Sequence, residues 1–303
     1  MRRAGSGFLR SPNLPIAALL AAALVWGLTF SLVKTALTDA GALSFLGLRF
    51  AVALGAFSLF AARPAFRPAF GGLCLRDWWL AAAAGASLYG GFLFQTLGLR
   101  TATAANSAFI TGLCVVMVPF LLWAGGEPPR RRHAAGALVA AAGLYWLTGA
   151  GPAGAGRGDL LTLVCAVLFA LHIVLLGRGG MRMDSLTFFL VQLMTAAALA
   201  MAAGLVWGGP VRWSARLTVA LAVTGVLATA GAFFLQTWAQ RRLEPARAAL
   251  WILTEPLFAL GFGALLLGEF PGPSGLAGAA LILAGVAVAE AGESLAPGIF
   301  STD

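Results

Sequence analysis

Between Arg247 and Glu269 the sequence RAALWILTEPLFALGFGALLLGE is long enough for a membrane helix and carries one charge in its interior, Glu255. A lone acid within about 20 apolar residues costs roughly 2.5–3.5 kcal/mol on insertion scales, so it should face a cavity or a partner rather than lipid. Pro256 follows it. Proline denies the carbonyl of Ile252 its helical donor and bends the segment, which opens polar backbone towards a cavity. Trp251 stands one turn before Glu255 and shares its helical face. Two readings of Glu255 stay open, a neutral packing acid held by a hydrogen bond and a substrate or proton site. A carboxyl that a cavity alternately hydrates can take up and release a proton. Glu255 is therefore a candidate for proton coupling, with His172, the one histidine inside an apolar run, as a candidate relay. The plainer reading of His172 is a neutral imidazole bonded to a neighbour.

Other polar groups fall at membrane depth. Asn106, Gln95 and Gln236 can contact a substrate, although an amide bridging two helices is the commoner arrangement. Arg49 lies about 9 Å into its run at 1.5 Å per residue. It is expected to pair with Asp39 or a helix carbonyl, or to attract an anionic group of a substrate. Lys34 sits near a run end and can snorkel to the interface. His133, after Arg130 to Arg132, reads as a solvated loop residue. Trp26, Tyr89 and Trp238 fall where they could line a cavity, though each could equally be core packing.

These residues must be held by helices in a bilayer. Of 303 residues 60% are hydrophobic and 10% charged, with a mean hydropathy of +0.90, which no soluble globular chain of this size shows. The excess of 20 basic over 11 acidic residues lies between apolar runs, where the positive-inside rule accounts for it, so nucleic-acid binding is not implied. Cys74, Cys114 and Cys165 have neither metal-binding spacing nor a disulfide pattern, and no cofactor or metal is expected. Lys34 is the sole lysine among the 20 bases, and Ala and Gly abound, a composition that fits a GC-rich bacterial genome and so a bacterial cytoplasmic membrane.

Breaking the sequence at charges, Pro and Gly gives ten runs of helix length, approximately 15 to 37, 43 to 62, 78 to 99, 102 to 124, 133 to 150, 159 to 177, 185 to 207, 217 to 240, 246 to 268 and 272 to 290. Ten spans starting inside place fourteen bases on the inner side against Arg100, Arg157, Arg212 and Arg216 outside, which puts both termini in the cytoplasm. The chain also repeats. FLFQTLGLR at Phe92 to Arg100 is similar to FFLQTWAQR at Phe233 to Arg241, 141 residues on, and Glu127, Gly136 and Gly143 match Glu269, Gly278 and Gly285 at an offset of 142. Five helices per half is odd, so the second half enters from the opposite face. The expected fold is an all-α polytopic membrane protein whose ten transmembrane helices form two inverted five-helix repeats, 15–150 and 159–290.

Four stretches carry a family resemblance: WGLTFSLVK (Trp26 to Lys34), LGLRF (Leu46 to Phe50), TAANSAFITGLCVVMVPF (Thr103 to Phe120) and TEPLFALGFGALLLGE followed by GLAGAALILAGV. In this order and spacing the chain resembles the EamA family of ten-helix transporters in the drug/metabolite transporter superfamily. The resemblance implies two inverted repeats around a central cavity near the midplane, and movement of small metabolites, often outward. It also implies that the fourth and ninth helices line the cavity, with Asn106 and Glu255 at different depths. The first half carries Cys114 where the second has Glu255, and its Pro119 lies a turn beyond the position equivalent to Pro256. Whatever Glu255 does is therefore done once. The expected partners are a small-molecule substrate, such as an amino acid or derivative, the lipid bilayer and, through Glu255, protons. Monomer and homodimer stay open, as do two other classes, an intramembrane lipid-processing enzyme and a passive channel or scaffold.

Overall fold

The computed structural model describes residues 13–66, 68–102, 104–148, 156–178, 183–262, 265 and 272–291. Its elements are α1 (Leu14–Ala36), α2 (Ala42–Ala61), α3 (Leu75–Gly98), α4 (Ala104–Gly112), α5 (Cys114–Ala124), α6 (Arg131–Thr148), α7 (Arg157–Arg178), α8 (Ser185–Trp207), α9 (Ala215–Ala222), a π-helical stretch Val223–Ala232, α10 (Phe233–Gln240), α11 (Pro245–Ile252), α12 (Glu255–Phe262) and α13 (Pro273–Glu290). The π stretch joins α9 and α10 into one rod, Ala215–Gln240. With α4/α5 and α11/α12 each taken as one broken rod, the described residues form ten rods. Helix is the expected outcome for apolar segments in lipid, where each backbone N–H and C=O must be satisfied internally.

Six of these rods are long and apolar enough to cross a membrane: α2, α3, α7, α8, Ala215–Gln240 and α13. The fourth and ninth runs of the sequence differ from expectation. Each is two short helices rather than one span, broken at Leu113 and at Leu253–Thr254. Large apolar side chains such as Leu59, Leu205 and Leu265 point outward, as a lipid-facing surface requires.

Small residues set the helix contacts. In α6 and α13, Gly136 meets the carbonyl of Gly285 and Gly143 that of Gly278. A Cβ at either first-named position would come within 2.5–2.7 Å of that oxygen. The α1–α2 and α8–α9 connections are also tied together. Ala40 bridges Val211, Gly41 donates to the Pro210 carbonyl at 3.1 Å, and the Ser44 hydroxyl donates to Gly209 at 2.7 Å. Ser214 caps α9 by accepting from the Leu217 N–H, and its hydroxyl donates to Asp39 at 2.7 Å. At the opposite end of the bundle the Thr187 hydroxyl accepts from the Ala69 N–H at 2.9 Å. Asp184 caps α8 through the N–H groups of Leu186 and Thr187.

Candidate functional site

Glu255 opens α12 immediately after the break that Pro256 helps to create. Pro256 has no N–H for Ile252, and the Leu257 N–H turns to Thr254 at 3.0 Å. The carbonyl of Trp251 is taken up by the Thr254 N–H at 3.2 Å and hydroxyl at 2.7 Å. Gly27 of α1 lets that helix approach the exposed backbone, since a Cβ there would stand 3.0 Å from the Glu255 carbonyl oxygen and 2.9 Å from the Ala259 nitrogen. Glu255 is half-buried and its carboxyl has no hydrogen-bond or ion-pair partner among the described residues. Cys114, the first residue of α5, lies within electrostatic reach of it. An isolated carboxylate in an apolar interior costs several kcal/mol unless water, a proton or a ligand meets it. The residue that opens α12 thus lies near the one that opens α5. The α4/α5 break needs no proline: Gly112 leaves a notch that Leu144 fills, and Leu113 shares its N–H between Phe109 and Ile110, both at 3.2 Å. Pro119 stays inside α5.

A second cluster surrounds the π stretch. Trp26 of α1 donates its indole N–H to the Ala228 carbonyl at 3.0 Å and sets its ring 4.7 Å from Phe233. Phe92 of α3 meets Phe233 and Phe169 at 5.5 Å each and Phe50 at 5.6 Å. Over Phe92, at 4.2 Å, lies the guanidinium of Arg49, whose Nε donates to the Thr229 hydroxyl at 2.8 Å. Thr229 in turn donates to the Thr224 carbonyl at 2.8 Å. A π turn widens the helix and frees carbonyls from their regular donors, and such turns recur at functional sites. Here the widened backbone supplies the acceptor for Trp26 and positions Thr229 under Arg49.

The model of the EamA-like transporter family matches residues 13–149 and again 156–290. The chain belongs to the EamA-like transporter family. An "Uncharacterized transporter" of Archaeoglobus fulgidus is 32% identical over 269 residues, spanning 88% of this chain and 82% of the relative. A solved crystal structure that is 20% identical superposes with a TM-score of 0.74 over 91% of this chain and 96% of its own, which shows a shared fold. The protein is thus a membrane transporter of the EamA family.

Within this EamA-like transporter the remaining sequence candidates take separate places. His172 is 1% exposed and bonds Gln192 at 3.3 Å, and Gln192 donates to the Thr237 hydroxyl at 3.3 Å. Its hydrogen-bond partner is thus an amide on α8 and not Glu255. Gln95 donates to Thr111 at 3.4 Å, joining α3 to α4, whereas Gln236 bonds Gln240 within α10 at 2.8 Å. Tyr89 packs at the edge of the cluster around Trp26. Trp238 lies under the Arg242 guanidinium, 4.2 Å away, beside α1 and α11. Asn106 is in α4 and Lys34 in α1, but both side chains lie outside what the structure describes, as does Glu269 altogether.

Three placements differ from the sequence reading. Trp251 does not share a face with Glu255, because the helix breaks between them and the indole N–H donates to Glu290 at 2.9 Å. Arg49 does not pair with Asp39, which is held by Ser214 at the far loop. His133 is not a solvated loop residue: it is 1% exposed in the first turn of α6, with Nδ1 3.5 Å from Glu244. The sequence reading also missed an ionic cluster at this end of the bundle. Arg247 clamps Glu290 through Nε at 2.5 Å and through Nη2, Arg130 meets Glu244 at 2.7 Å and Arg178 meets Glu127 at 3.2 Å. Its only signal was the abundance of bases on the predicted inner side, which topology alone explained.

Proposed function

We propose that this EamA-like protein carries small organic metabolites, such as amino acids or their derivatives, by alternating access, as a carrier rather than an intramembrane enzyme. It exports them across a bacterial cytoplasmic membrane with both termini inside. In this reading residues 15–150 and 159–290 are inverted repeats that rock about a central site. The observation that carries it is the pair of broken helices. The breaks at Leu113 and Thr254 are 141 residues apart, the offset of the sequence repeat, and bring Cys114 and Glu255 near one another in the interior. Residues that correspond under a two-fold axis and lie close together lie near that axis.

The helix contacts support the same symmetry. If Gly136 corresponds to Gly278 and Gly143 to Gly285, a two-fold carries the Gly136–Gly285 contact onto Gly278–Gly143, and both contacts are present. Likewise α3 packs on α7 as the π stretch and α10 pack on α1, and α4/α5 pack on α7 as α11/α12 pack on α1. Counterflow in proteoliposomes against a panel of labelled metabolites tests the function. Saturable counterflow of at least one solute is expected; flux that never saturates, or turnover of a labelled lipid by the purified protein, contradicts it.

A further inference from the structure

We propose that Arg49 is a subsite for the carboxylate of a small apolar organic acid bound in the interior of the bundle. The assignment rests on the carrier reading above and adds the chemical class of the solute. Arg49 is 3% exposed, in the middle of α2. A guanidinium at such a place requires an anion or a full set of acceptors. Arg130, Arg178 and Arg247 all have acidic partners. Arg49 has none among the described residues.

Its orientation is fixed instead by neutral groups. The Thr229 hydroxyl spends its proton on the Thr224 carbonyl and so can only accept from Nε, and Phe92 covers one face of the guanidinium. What remains is the edge formed by the two Nη nitrogens. Among the described residues no acceptor meets either nitrogen. Two parallel N–H groups in one plane match the two oxygens of a carboxylate, and the single positive charge balances a monoanion. Because the fork is held before a ligand arrives, little ordering cost attaches to binding. Phe92, which the guanidinium overlies, and Phe233, 5.5 Å from Phe92, make these surroundings aromatic and suit an apolar side group.

The test uses full-length protein purified in detergent and two matched probe pairs, phenylacetate with phenylacetamide and isovalerate with isovaleramide, titrated by calorimetry. Wild type is expected to bind each acid about 10- to 100-fold more tightly than its amide, the range for a charged hydrogen-bonded contact. Arg49→Gln should abolish that ratio, Arg49→Lys should reduce it, and Thr229→Val, which frees the fork to swing, should also reduce it. Equal binding of acid and amide by wild type, binding of neither, or an undiminished ratio in Arg49→Gln overturns the assignment. If Arg49→Gln does not elute as folded protein, Arg49→Lys and Thr229→Val decide, and an unchanged ratio in both overturns it. Counterflow of the same probes in vesicles is measured separately. An acid preference in binding without flux of any solute would count against the carrier reading and leave the subsite standing.

Discussion

The α6–α13 seam offers a quantitative test of the packing. Placing a Cβ on Gly136, Gly143, Gly278 or Gly285 puts that carbon 2.5–2.7 Å from a carbonyl oxygen of the facing helix. Carbon and oxygen in close-packed helices meet at about 3.3 Å, so the helices must part by roughly 0.6–0.8 Å. Overpacking of this kind costs about 1–3 kcal/mol per site. At about 2 °C per kcal/mol, each Gly→Ala variant should melt roughly 2–6 °C below wild type when unfolding is followed by tryptophan fluorescence in detergent. Gly55 and Gly261 are controls because a Cβ on either meets nothing within 4 Å. Alanine there should leave the midpoint unchanged or raise it, since Ala is the better helix former by roughly 0.5–1 kcal/mol. Corresponding variants, Gly136→Ala with Gly278→Ala and Gly143→Ala with Gly285→Ala, should fall by similar amounts. Midpoints at the seam that match the two controls would refute the packing.

Other outcomes follow from single contacts. Trp26→Phe removes the donor to the Ala228 carbonyl but keeps the ring, and should cost about 1–3 kcal/mol in the same melting assay; an unchanged midpoint means that the carbonyl finds another donor. Glu244→Gln weakens the contacts to Arg130 and His133, but the carboxylate side chain is 45% exposed, so the loss should stay below about 1 kcal/mol. A larger drop would show that the ionic cluster clamps this end of the bundle. If Glu255 couples protons, Glu255→Gln proteoliposomes should lose the response of flux to an imposed pH gradient, and undiminished gradient-driven flux would remove Glu255 as the coupling residue.

How much of this was legible depends on the range of each interaction. Local signals carried well: the apolar runs gave the rods, and Pro256 marked the ninth-helix break because a missing N–H acts within one turn. Gly136 and Gly143 announced a close helix contact through their spacing. Tertiary choices did not show. Beside the break at Leu113, Leu144 fills the notch at Gly112, which lies 32 residues earlier in the sequence. Nothing local distinguishes Val223–Ala232 from an α-helix, so the π stretch and its bonds to Trp26 and Arg49 were invisible. Trp251 has the right spacing to face Glu255, but a 2.9 Å bond to Glu290, 39 residues away, sets its direction.

Alternating access at Glu255 is tested most directly by replacing it with cysteine in a background where Cys74, Cys114 and Cys165 are serine, and reconstituting the protein in one orientation. A membrane-impermeant thiol reagent is then applied from each side in turn. A central site that opens alternately predicts modification from both faces, slowed by a transported solute. Modification from one face only, or from neither, would contradict it.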